Sequence, residues 1–128
     1  MKLEQQVCSL ELAKKLKELG VKQDSLFYWC GSHSNPDAPW EIHNWKVYNS
    51  EFRFRYYQSD DPVSAFTVAE LGEMLPYRGS IYSEPVSEDN ESKEWICIYG
   101  KTITKADTEA DARAKMLIYL VENNLITL

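Results

Sequence analysis

Toward the end of the chain, Ala110, Ala114, Leu117, Ile118, Val121 and Leu125 recur at three- and four-residue steps. That spacing is one continuous apolar stripe and predicts an amphipathic helix over 109–123. Thr108 stands at the N-cap position, and Glu109 and Asp111 fall in the first turn, where the helix dipole favours negative charge. Asn123 and Asn124 are suited to closing the other end through a left-handed C-cap. Just upstream, Trp95, Cys97 and Tyr99 alternate with Ile96 and Ile98, the period of a strand over 94–99.

The same reading applied from the N-terminus gives a first helix over 10–19. Leu12, Ala13, Leu16 and Leu19 form its apolar face and Ser9 is its N-cap. Gly20 and Val21 are placed to close it as a Schellman motif against Leu16. Residues 26–30, Leu-Phe-Tyr-Trp-Cys, read as a strand, and 31–39 is turn chemistry throughout. Two further strands are expected over 40–48 and 51–58, joined at Asn49-Ser50. In the second, Phe52, Phe54 and Tyr56 alternate with Arg53, Arg55 and Tyr57.

Thr67-Val68-Ala69-Glu70 is a capping box, with Phe66 and Leu71 at the staple positions and Pro76 ending the short helix that follows. Ile81-Tyr82 reads as a brief strand, 84–94 as an acidic solvated hairpin loop, and 100–107 as a connection into the last helix. The order implies an α+β fold. A mostly antiparallel sheet carries the N- and C-terminal helices packed on it, with one short central helix.

At 128 residues the chain is expected to be a single domain, 1–128, without repeats or an internal linker. The longest apolar runs fall well short of the ~20 residues a membrane span needs. The N-terminus lacks the apolar core of a secretory signal, so a cytoplasmic location is expected and no membrane partner. Three widely spaced cysteines, Cys8, Cys30 and Cys97, read as free buried thiols rather than a disulfide framework. Fourteen basic residues against twenty acidic ones give a net charge of −6, which weighs against nucleic acid as a partner.

Cys30 and His33, three apart, with His43 beyond, are the residues that zinc or nucleophilic chemistry would use. A structural zinc site needs four ligands at recognisable spacing, and a nucleophilic cysteine needs an oriented base. Neither pattern is complete, so a core cysteine beside a loop histidine is the simpler reading and no metal is assigned. Gly100-Lys101-Thr102 echoes a phosphate loop, but Trp95 occupies the position of its first glycine and Ile103 to Ala106 intervene before the helix. Trp40, His43 and Trp45 are the candidates for a groove in the loop-rich 31–45 region. Arg53 and Arg55 with nearby aromatics are the candidates for a surface that stacks single-stranded nucleic acid, although the ordinary wet face of a strand is the simpler reading. The carboxylate pairs Asp60-Asp61, Glu88-Asp89 and Glu109/Asp111 sit where turns, solvation or capping account for them.

Three stretches, 8–29 (CSLELAKKLKELGVKQDSLFYW), 65–76 (AFTVAELGEMLP) and 108–126 (TEADARAKMLIYLVENNLI), together resemble a group of small uncharacterised proteins encoded by bacterial phages and prophages, often of gut anaerobes. The last stretch with its preceding Trp strand is also similar to small phage proteins with an α/β/α sandwich domain. The resemblance covers somewhat under half the chain and implies a phage-derived cytoplasmic protein. It brings no catalytic residues or cofactor with it. The expectation is a non-catalytic binding or self-associating module, with a homo-oligomer or another protein as partner. The alternatives are a small-molecule- or metal-binding protein or enzyme using the 31–45 loop, and a single-stranded nucleic-acid binder.

Overall fold

The computed structural model describes residues 2–31, 37–44, 62–76, 81–85 and 94–128. Its elements, in chain order, are α1 Leu3–Gln6, α2 Leu10–Glu18, β1 Phe27–Cys30, β2 Glu41–Asn44, β3 Val63–Ser64, α3 Val68–Met74, β4 Ile81–Pro85, β5 Trp95–Tyr99, β6 Thr102–Ala106 and α4 Glu109–Glu122. The class is α+β, as the sequence implies. The described strands divide into two antiparallel three-stranded sheets, ordered β2-β1-β3 and β4-β5-β6, rather than forming one layer.

Local chemistry sets the helix ends. In α2, Gly20 takes a φ of 94°, Gly20 N–H donates to the Lys17 carbonyl and Val21 N–H donates to the Leu16 carbonyl, each at 3.0 Å. Those are the two bonds of a Schellman motif. At the other end of α2, the Ser9 side chain makes no cap. Its N–H instead donates to Asp111 Oδ1 at 2.6 Å, which ties α2 to the first turn of α4.

The capping box of α3 forms as the sequence predicts. Glu70 N–H donates to Thr67 Oγ1 at 3.2 Å and Thr67 N–H donates to Glu70 Oε1 at 3.0 Å. The other Glu70 oxygen accepts Leu26 N–H at 3.1 Å, which pins the entry to β1. At the end of α4, Asn124 adopts a φ of 56°, and Leu125 N–H donates to the Leu120 carbonyl at 2.8 Å. That left-handed turn swings Leu125 off the stripe predicted for it, and Leu125 is 56% exposed.

α4 is the middle layer. It packs against β4, β5 and β6 on one side and against α2 and α3 on the other. Ala110, Ala112, Ala114, Met116, Leu117 and Leu120 are all fully buried, a wider arc than one stripe, because the helix is covered twice. The small alanines let both layers approach, while Met116, Leu117 and Leu120 each contribute about 1.5–3 kcal/mol of burial. The same core takes Cys8, Leu16, Phe66, Leu71 and Cys97, so it joins residues from both ends of the chain.

Four further elements differ from those the sequence predicts. α1 is an extra turn, too short to show a period, and its start is held by Lys2 N–H donating to Gln5 Oε1 at 3.2 Å. β3 adds a two-residue strand beside β1, with Tyr28 opposite Ser64 and Trp29 opposite Val63. Glu84 and Pro85 extend β4 rather than open a loop, and Thr102–Ala106 is a full strand rather than a connection. Gly100, at φ 59°, occupies the first central position of the turn between Tyr99 and Thr102, the place a type II′ hairpin reserves for glycine. The strand expected over 51–58, the Asn49-Ser50 turn and the greater part of the 84–94 loop lie outside the described residues.

Candidate functional site

Three places merit attention, and the first is where the sequence put its candidates. His33, Trp45, Arg53 and Arg55 lie outside the described residues. Cys30 and His43 do occupy one sheet: Cys30 pairs with Glu41 and Tyr28 with His43. Directly opposed residues point to the same side, so these four share a face. His43 Nε2 lies 3.4 Å from Glu41 Oε2. Cys30 is buried with Tyr28 in a small second cluster and directs its thiol to the Tyr28 carbonyl at 3.7 Å. Burial, and then the Glu41 carboxylate, push the Cys30 thiol up to about 12. A thiol held protonated in that way is a poor nucleophile and a poor metal ligand at neutral pH.

Trp40 packs its ring over the backbone of Gly31, so closely that a Cβ there would stand 2.6 Å from Trp40 Cε2. Lys14 Nζ lies 4.6 Å from the centroid of the Trp40 ring, a cation–π contact that joins α2 to the approach to β2. Trp40 also packs against the main core. Its placement is that of a cover over the sheet.

The second place is a cleft of about 260 Å³ lined by Ala69, Gly72, Glu73, Leu75, Pro76, Ile81 and Arg113. Arg113 closes it from α4. Its Nε donates to Ser83 Oγ at 3.1 Å, Nη1 to the Val68 carbonyl at 3.2 Å and Nη2 to Glu109 Oε2 at 3.4 Å, while the Ser83 hydroxyl donates to Glu109. The guanidinium therefore ties α3, β4 and α4 together, and its charge is met by Glu109 within the same helix. Gly72 makes this possible: a Cβ at that position would stand 2.5 Å from Arg113 Nη1. Cys97 lies beneath the network, opposite Ser83 in the sheet. Burial raises its thiol to about 11, with Arg113 pulling the other way.

The third place is the outer face of the second sheet. Trp95, Cys97 and Tyr99 pack inward on the core with Ile81 and Ala106. Alternation then turns Tyr82, Glu84, Ile96, Ile98, Ile103 and Lys105 outward. The register arranges these six as two rows, Tyr82–Ile98–Ile103 and Glu84–Ile96–Lys105. Tyr82 is 52% exposed and Ile103 54% exposed. Among the described elements no helix packs on this side: α4 covers the opposite one, through Cys97 and through Thr104 Oγ1 donating to the Ala112 carbonyl at 2.8 Å.

Comparison with known proteins returned no matching family model, no similar curated protein and no similar solved structure. Among the described residues, no group of three or more His, Cys, Asp or Glu side chains could hold a metal ion. No described helix is long and apolar enough to cross a membrane.

Two of these features left signals in the sequence. Glu109 and Arg113 are four apart with the acid first, the favourable order for a helix pair. Gly72 interrupts an otherwise strong helical run, a common mark of close approach by another group. The outward row of β6 was hidden because Ile103 and Lys105 fall in a segment short enough to pass for a connection.

Proposed function

We propose that the chain is a non-catalytic module of phage or prophage origin that works by macromolecular contact, and that the outer face of β4-β5-β6 is its contact surface. One observation carries this reading. Tyr82, Ile96, Ile98 and Ile103 form a contiguous apolar patch on a sheet whose other face is already covered by α4. Such a patch costs solvation when left in water and marks an interaction site. Among the described residues, the thiols and the cleft's guanidinium and carboxylate are otherwise engaged. The thiols of Cys8 and Cys30 are raised to about 12 and that of Cys97 to about 11 by burial, and Arg113 and Glu109 bond each other and Ser83.

The test is position-specific photo-crosslinking. Ile103→benzoylphenylalanine should yield crosslinked adducts, whereas the same substitution at Tyr119, which is exposed on α4, should not. Equal yields from both positions, or none from 103, would remove the assignment.

A further inference from the structure

We infer that the occupant of this face is a second copy of the same chain, stacked sheet on sheet about a two-fold axis that runs along β5. The inference rests on the contact-surface reading above and adds the partner and its geometry.

The order of residues within the two outward rows carries it. One row is apolar at all three positions, Tyr82, Ile98 and Ile103. The other holds an acid and a base at its two ends with an isoleucine between them, Glu84, Ile96 and Lys105. Glu84 and Lys105 stand on the two outer strands of the described sheet, on either side of Ile96, so their side chains rise side by side from the face rather than toward one another. Among the described residues neither side chain has an ion-pair partner.

A two-fold axis parallel to the strands, midway between two stacked faces, keeps each row at its own level and exchanges its ends. Ile96 then meets Ile96 and Ile98 meets Ile98, while Tyr82 meets the second copy's Ile103. Glu84 meets the second copy's Lys105, and the reciprocal pair forms on the other edge. Stacked sheets lie about 10 Å apart, within reach of a Glu and a Lys extended toward one another. An axis across the strands would instead set the charged row on the apolar one, burying Glu84 and Lys105 against Tyr82 and Ile103 without partners. The face is thus complementary to itself in one orientation, the condition for an isologous dimer.

Three strands about 4.8 Å apart and five residues long make a face of roughly 14 by 17 Å. That is small for an interface, so the dimer is a weak and reversible one, populated at high protein concentration.

Sedimentation equilibrium at about 0.15 M salt tests this with charge reversals, because screening there limits the repulsion between two chains of net charge −6. The wild type should rise from monomer toward twice that mass as concentration is taken through the hundreds of micromolar. Glu84→Lys alone, and Lys105→Glu alone, should each weaken association roughly three- to tenfold, since each puts like charges together twice. An equimolar mixture of the two variants should recover it, because every reversed charge then meets its opposite across the axis. The double variant E84K/K105E should recover it alone.

A wild type that stays monomeric throughout would overturn the proposal, and so would a mixture that associates no better than its components. Should a reversal fail to fold, Ile103→Thr and Tyr82→Ser replace it: lost association is expected, and unchanged association overturns the proposal. If the chain is monomeric yet position 103 still crosslinks selectively, the contact surface stands and only the identity of the partner falls. If both fail, the surface reading falls as well.

Discussion

Replacing Gly72 by alanine sets two effects against each other, and the structure determines which is larger. Gly72 lies inside α3 with an ordinary helical backbone, so adding a Cβ would by itself favour the helix by about 0.4–1 kcal/mol. That Cβ would stand 2.5 Å from Arg113 Nη1, inside contact distance, so the end of the guanidinium has to shift. Its bond to the Val68 carbonyl at 3.2 Å goes with it, and the bonds to Ser83 and Glu109 are disturbed.

Losing one charge-assisted bond at a half-buried site costs about 1.5–2.5 kcal/mol, which exceeds the helix gain. Gly72→Ala should therefore destabilise by about 1 kcal/mol net. That corresponds to a thermal midpoint roughly 3–6 °C lower for a domain of this size. Urea denaturation should show the midpoint falling with an unchanged slope. The decisive arm is the Arg113→Ala background, where nothing is left to displace. Adding Gly72→Ala there should raise stability by the helix term. If Gly72→Ala is stabilising by the same amount in both backgrounds, Arg113 is not held as described.

Two further outcomes follow from buried ionisable groups. Burial raises the Asp111 carboxyl above its ordinary value of 3.8, with the hydrogen bond from Ser9 opposing. The folded state thus holds the proton more tightly than the unfolded chain does. The contribution of Asp111 is favourable below 3.8 and is lost as pH rises through the raised folded value. Asp111→Asn, which keeps an oxygen for the Ser9 N–H, should gain stability relative to wild type as pH is raised through that window; a gap that narrows with rising pH would refute this. At pH 8, a thiol near 12 is ionised to only about one part in ten thousand. Cys8 and Cys30 in the folded protein should react with a thiol reagent roughly a thousandfold more slowly than free cysteine and reach full rate in denaturant, and rapid labelling of native Cys30 would revive the nucleophile reading.

The parts of the fold that were legible in the sequence are those specified by neighbours. The Schellman motif at Gly20, the capping box at Thr67 and the left-handed Asn124 each need only a few consecutive residues, and each formed where those residues stand. The class followed from periodicity. What did not follow was set by contacts distant in sequence. The double covering of α4 buries Ala112, Met116 and Leu120 beyond the one stripe, and Asp111 serves Ser9, 102 residues away. The division of the strands into two sheets has no local signature at all.

The candidate site was legible mainly in its parts. Ile96 and Ile98 were recognised as strand residues alternating with Trp95, Cys97 and Tyr99. The sequence alone suggested that the terminal helices covered the sheet, with no ground for expecting one face to carry none of the described helices. The row Glu84–Ile96–Lys105 needs the register of three strands, two of which, β4 and β6, the sequence showed only as a dipeptide and as a connection.

Amide chemical shifts measured across a dilution series test the contact surface residue by residue. As concentration rises, the shifts of Tyr82, Glu84, Ile96, Ile98, Ile103 and Lys105 should move together along one binding curve, while those around Trp40 and His43 stay fixed. Shifts that move instead around Trp40, His43 and Cys30, with the outer face of β4-β5-β6 unchanged at every concentration, would contradict self-association through this sheet.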